Sequence, residues 1–268
     1  RKSMTPLFLV IAATVTVDTG GVAALPLPTG AVDVLYGDEP ALIVADHVIV
    51  GVGLDAAPGR HHVVVRTADG DKTIDFEVVA KQYPEQRLTI PDRRKVNPLP
   101  EDLERIERES KLQRAAYARR TPVRADLLPF EQPVQGIYSS PFGRRRFLND
   151  QPRSPHSGLD IAANTGTPVA APAPATVALT GDFFFSGNVV LLDHGGGLIT
   201  MYGHLDRIDV EDGEDVDRGD IIGTVGATGR VTGPHLHWTI SMQGDRVDPV
   251  VLMQVFGRLA GETAISPQ

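Results

Sequence analysis

The sequence predicts a mostly β protein, with an antiparallel β-sheet domain in its second half preceded by a small β-sandwich-like domain and a linker helix. Three observations point there. Short runs of branched apolar residues recur between turn formers. Glycine (27 residues) and proline (21) are plentiful while aromatics make up 6% of the chain, which favours many turns and short strands over long helices. One stretch alone, beginning at Pro98, carries a helical pattern. The expected division is 1–92 for the first β domain, 93–122 for the linker and 123–268 for the second domain.

The first element is the apolar run from Leu7 to Val15, which follows Arg1-Lys2. It resembles the basic and hydrophobic regions of a secretory signal, and it fits a first β-strand as well; the strand is preferred. It falls short of the roughly 20 apolar residues that span a bilayer, so no stable transmembrane span is expected. Branched runs then follow at Ala41 to Ala45, His47 to Val52 and His62 to Val65. Between them lie Gly37-Asp-Glu-Pro, Ala57-Pro-Gly and Ala68-Asp-Gly-Asp, all turn formers. This spacing suggests a small sandwich or barrel. The pair His61-His62 cannot chelate one ion, since neighbours in a strand point to opposite faces.

From Pro98 the character changes. Pro100 suits a first helical position, Glu101 and Asp102 complement the helix dipole, and Leu103, Ile106 and Leu112 supply a partial apolar stripe. The helix is expected to run to about Arg119 and to end before Pro122. From Leu127 onward the pattern is β again.

Composition narrows the function. A formal net charge of -8 argues against a nucleic-acid grip, and Arg144-Arg145-Arg146 is read as a solvated loop. The absence of cysteine rules out disulfides, thiol catalysis and thiolate-bound zinc, so any metal must rest on histidines and carboxylates. Three segments carry such groups: His156-Ser-Gly-Leu-Asp160, Tyr202-Gly-His204 and His235-Leu-His237. If residues 235 to 242 are extended, His235, His237, Thr239 and Ser241 face one way, and Leu236, Trp238, Ile240 and Met242 face the core. The same alternation puts Thr200, Tyr202 and His204 on one face and Ile199 and Met201 on the other, with the histidine face expected away from the core. Two histidines and one carboxylate are a standard ligand set for catalytic zinc, which leaves two histidines to move protons. Spacing alone leaves open which histidines do which.

Ser140-Pro-Phe-Gly-Arg, His156-Ser-Gly-Leu-Asp, Gly166-Thr-Pro-Val-Ala-Ala, Tyr202-Gly-His-Leu and Gly233-Pro-His-Leu-His-Trp follow one another in order, with Val247-Asp-Pro closing the series. On these motifs the segment from Ser140 to Val250 resembles the lysostaphin/LytM-type zinc peptidoglycan endopeptidases. The resemblance implies one Zn²⁺ held by His156, Asp160 and His237, with His204 and His235 as the catalytic histidines. It implies hydrolysis of peptide crosslinks in bacterial peptidoglycan and an extracytoplasmic location, in the periplasm or cell envelope, with a membrane tether before processing as the alternative. The alternative is a non-catalytic peptidoglycan-binding or amidase-regulating module on the same fold; all five positions being intact favours the enzyme. Asn188 and Tyr202 are candidate groove residues, and His194, ahead of three glycines, is read as structural. Phe183-Phe184-Phe185 suits a groove wall or core packing, and at least one of the three is expected to pack in the core.

Overall fold

The computed structural model describes residues 14–124 and 126–265. Most of the Leu7–Val15 run lies outside them, and Val15 opens the first described strand, Val15–Asp18. Among the described residues the chain is mostly β, with two α-helices, α1 (Pro100–Tyr117) and α2 (Pro249–Ile265).

Branched residues at alternate positions of the N-terminal strands produce two facing sheets. One has five strands, with Gly59–Thr67 and Gly70–Val79 at its centre as a hairpin. The other has three: Val22–Pro26, His47–Gly51 and Leu42–Val44. Leu25, Val48, Val50, Val63, Val65 and Phe76 fill the space between them. The three-stranded sheet is apolar on both sides. Its other face, through Val22, Leu42, Val44 and Ile49, joins the large core of the C-terminal half.

That large core lies under an antiparallel sheet of ten strands. Its central order is Ile137–Ser140, Leu159–Ala162, Leu236–Met242, Leu198–Ile208, Gly187–Asp193 and Ala175–Phe183. Leu236, Trp238, Ile240 and Met242 all point into the core, as strand alternation requires.

Helix α1 begins at Pro100 as expected and stops two residues short of Arg119. The Asp102 carboxylate accepts the Leu99 N–H at 3.0 Å and two bonds from Arg94, which fixes the helix start. Its last turn lays Ala116 and Tyr117 on Leu179, Leu191, Ile199 and Met201, so the large sheet is covered on this side too.

Helix α2 departs from the expectation of continuous β structure after Leu127. Val250, Val251 and Val255 disguise it, since branched residues read as strand. The Asp248 carboxylate accepts the Val250 N–H at 3.0 Å, Pro249 stands at the first turn, and Leu252, Val255, Phe256 and Leu259 form a helical stripe into the core.

Between the two halves the chain makes one more strand, Glu85–Leu88. It pairs in parallel with Arg145–Leu148, beside the His156 loop. Leu88, Ile90 and Val96 pack on Leu148 there. Among the described residues, no helix is long and apolar enough to cross a membrane.

Candidate metal centre and cleft

Strand pairing assembles the cluster. Leu159–Ala162 lies beside Leu236–Met242 with Asp160 directly opposite His237, so the two side chains leave the same face of the sheet. His156 comes from the loop just before, where its N–H donates to the Arg144 carbonyl and its own carbonyl accepts from Gly143. Gly158 admits the close approach of this loop: a Cβ there would meet the Trp238 carbonyl at 2.5 Å and His237 at 2.9 Å.

The result is one convergence of donor atoms. His156 Nε2 stands 3.0 Å and His237 Nδ1 2.7 Å from Asp160 Oδ1, and the two ring nitrogens are 3.1 Å apart. The other atom of each group is already committed. His156 Nδ1 donates to the Pro141 carbonyl at 2.9 Å, His237 Nε2 pairs with the Thr239 hydroxyl at 3.0 Å, and Asp160 Oδ2 accepts from Arg146 at 2.8 Å. Outer partners of this kind fix ring orientation and tautomer at metal centres.

His235 and His204 flank the cluster. His235 Nε2 is 3.8 Å from Asp160 Oδ1, and the His204 ring is centred 4.9 Å from that of His235 and 5.8 Å from that of His237. Each is pinned through Nδ1 to a backbone carbonyl, Gly233 for His235 and Thr228 for His204, both at 2.8 Å. Among the described residues their Nε2 atoms make no hydrogen bond.

Electrostatics favour an unprotonated imidazole at His237, as a metal ligand needs. Burial pushes His237 down to about 4, against the pull of Asp160. Burial, then the charges of His237 and His235, push His204 down to about 3. For Asp160 burial acts upward, but hydrogen bonds from His156 and His237 outweigh it and hold the carboxyl well below its usual range.

The face assignment on Leu198–Ile208 needs correction. Thr200 and Tyr202 do not share the cleft with His204; both are fully buried, and Tyr202 belongs to the large core. Met201 is the residue that lines the cleft. The alternation holds but its sense is the reverse of the expected one, because this strand buries its polar residues Thr200 and Tyr202. Those hydroxyls satisfy one another: His194 Nε2 bonds Thr200 Oγ1 at 2.9 Å, which bonds the Tyr202 hydroxyl at 2.8 Å. His204 should by alternation face the core as well. It escapes because its backbone is left-handed, with φ of +64°, a strained conformation for a non-glycine residue.

Asn188 is a clip rather than a cleft residue. Its side-chain amide donates to the Leu205 and Asp206 carbonyls at 3.1 Å, and its backbone N–H donates to Thr228, whose carbonyl holds His204. His194 is structural, as expected, wholly buried between the Pro174 carbonyl and Thr200. Phe183 and Phe184 are buried, whereas Phe185 lines the cleft. Sequence reasoning passed over Arg146, dismissed as part of a solvated basic run, and Thr239, which it placed on the cleft face but gave no task. Their signal was position alone.

Two histidines and a carboxylate gathered at one point beside a cleft, with two more imidazoles facing them, define a site of the metallopeptidase class. The model of peptidase family M23 matches residues 154–249. A solved structure from Pseudomonas aeruginosa assigned to peptidase M23 is 40% identical, with a TM-score of 0.73, over 92% of this chain and 97% of that one. This chain belongs to peptidase family M23. Among curated relatives, the DD-carboxypeptidase/endopeptidase Mpg of Neisseria meningitidis is 42% identical over 112 residues, 42% of this chain. The peptidoglycan DD-endopeptidase ShyA of Vibrio cholerae is 42% identical over 111 residues, 41% of this chain. The matched part spans 26% of the length of each of these two relatives.

Proposed function

We propose that this protein is a zinc-dependent endopeptidase that hydrolyses peptide crosslinks of bacterial peptidoglycan outside the cytoplasm. The observation that carries the reading is the convergence of His156, Asp160 and His237 with two further histidines facing them across the cleft. The donor set fits zinc. A tetrahedron with metal–ligand bonds of about 2.0 Å has edges of about 3.3 Å, and the three donor atoms stand 2.7 to 3.1 Å apart. When bound, the ion supplies Lewis acidity to the scissile carbonyl and to the attacking water.

The chain's own residues do the rest. His156, Asp160 and His237 hold the ion, and their outer partners keep the free donor atoms aimed inward. His235 Nε2, nearest the cluster, accepts the proton of the attacking water as the oxygen bonds to the carbonyl carbon. His204, whose neutral ring carries its proton on Nδ1, takes over at Nε2 the proton that His235 removes from the water and passes it to the departing amine as the C–N bond breaks; the two imidazoles stand close enough to exchange these tasks. No His-Glu-x-x-His sequence exists in the chain, so imidazole replaces the glutamate base of other zinc peptidases. In this reading residues 123–268 are the peptidase, 93–122 the linker and 1–92 an accessory β domain.

Peptidoglycan DD-endopeptidases among the relatives support the substrate class. The test is to incubate the zinc-loaded protein with purified cell wall and identify new amino termini by mass spectrometry. New amines that vanish with a chelator and return with zinc are expected. A zinc-loaded protein that releases none would instead favour a binding or regulatory module.

A further inference from the structure

The cleft is cationic in a protein that is acidic overall. A cavity of about 450 Å³ opens beside His156, His204 and His237, and its wall carries Arg146, Arg153, Arg230 and Arg246 with no aspartate or glutamate. The net charge of the whole chain is -8. Gathering guanidinium groups around one cavity costs repulsion, which an anionic ligand relieves.

Arg146 is committed to Asp160. Among the described residues, Arg153, Arg230 and Arg246 form no ion pair. Arg153 spends its donors on neutral oxygens, the Val96 carbonyl at 2.9 Å and Gln151 at 2.7 Å. Arg246 bonds Ser241 and the Gly244 carbonyl and lies over the Tyr117 ring. Arg230 is the least satisfied. One bond of 3.4 Å reaches the Lys95 carbonyl, and the guanidinium rests 4.6 Å over the Phe185 ring. Burial, and then the charges of Arg146 and Arg153, push it down to about 10, so both neighbours are near enough to be felt. It remains a cation at neutral pH, half-buried on the cleft wall with most of its donor fork unspent.

A planar fork of N–H donors matches a carboxylate in bidentate fashion. We propose that Arg230, reinforced by Arg153 and Arg146, forms a subsite for a carboxylate of the peptide substrate, so that the cleft selects acidic crosslinked peptides over neutral ones. The proposal rests on the endopeptidase reading and sharpens it, since bridges made only of glycine carry no such group.

The test uses two crosslinked peptide dimers, identical except that the carboxylates of one are free and those of the other are amidated. Charge-assisted pairing predicts that the wild-type kcat/KM favours the acidic dimer by at least about tenfold, expressed mainly in KM. In Arg230→Gln that ratio should collapse to within about threefold, and Arg230→Lys, which keeps the charge but not the fork, should fall between. A wild-type ratio near one, or an Arg230→Gln variant that slows both dimers alike, overturns the subsite. If neither dimer is cleaved, the endopeptidase reading fails and the subsite is read by calorimetric binding of the same two dimers to the full wild-type chain. Tighter binding of the acidic dimer, lost in Arg230→Gln, then upholds the subsite, and equal affinities overturn it.

Discussion

Substituting Gly158 by alanine tests how tightly the metal cluster depends on strand spacing. A Cβ at this position would stand 2.5 Å from the Trp238 carbonyl oxygen, 2.7 Å from Thr239 Oγ1 and 2.9 Å from His237 Cε1. Non-bonded contacts settle near 3.5 Å, so the added methyl group needs about 0.6 to 1 Å of room. The obstacle is strand backbone, not the end of a flexible side chain. The strand carrying Trp238 and His237 is pushed from the one carrying Leu159 and Asp160, its direct partners. Metal sites tolerate displacements of only about 0.2 Å, so zinc affinity should fall by at least about tenfold, or 1.4 kcal/mol. The zinc-free protein should lose about 1 to 3 kcal/mol of stability, as overpacking generally costs. Affinity is read by competition with a chromophoric chelator, and stability by urea unfolding. An alanine variant that binds zinc within twofold of wild type and unfolds at the same urea concentration would refute the reasoning.

Three further outcomes follow from the same geometry. Thr239→Val keeps the side-chain shape but removes the hydroxyl paired with His237 Nε2; zinc affinity should drop about 10- to 100-fold, measured by chelator competition. Arg146→Met frees Asp160 Oδ2 and should weaken zinc binding by a similar factor, and unchanged affinity would remove Arg146 from the positioning network. His194 is pushed down to about 4 by burial, while in the unfolded chain it titrates near its usual 6.5. Between those values the unfolded state binds the extra proton, so stability is intact above about pH 6.5 and falls as pH drops toward 4, by about 1.4 kcal/mol per unit. Urea unfolding of the zinc-free protein at about pH 7 and about pH 5 reads this slope together with those of His204 and His237, which burial also pushes down, so the loss is at least that of His194 alone, and equal stability at both would contradict it.

What could be read in advance depended on whether polarity meant exposure. On Leu236–Met242 polarity gave the right face, though not exposure: the apolar residues fill the core and the His237 face looks into the cleft, as alternation alone requires, while Thr239 and Ser241 on that face are buried. On Leu198–Ile208 it did not, because both faces of the sheet are covered, one by the large core and the other partly by α1. Threonine and tyrosine hydroxyls that bond one another can be buried as readily as isoleucine, and no period-two pattern reports that. The left-handed turn that swings His204 out to the cleft is likewise a product of backbone pairing, not of residue type. Helix α2 was hidden by its valines, although Asp248-Pro249 followed by a helical apolar stripe was a legible start signal. The arginines were legible only as charge; that they surround one cavity is a tertiary fact.

The central claim is that His156, Asp160 and His237 hold a zinc ion that His204 and His235 put to use. It is tested most directly by measuring zinc content and turnover of a crosslinked muropeptide dimer together, in wild type, His237→Ala and His204→Ala. The account predicts about one zinc per chain and hydrolysis in wild type, neither in His237→Ala, and bound zinc without turnover in His204→Ala. Full hydrolysis by His237→Ala, or undiminished turnover by His204→Ala, would contradict it.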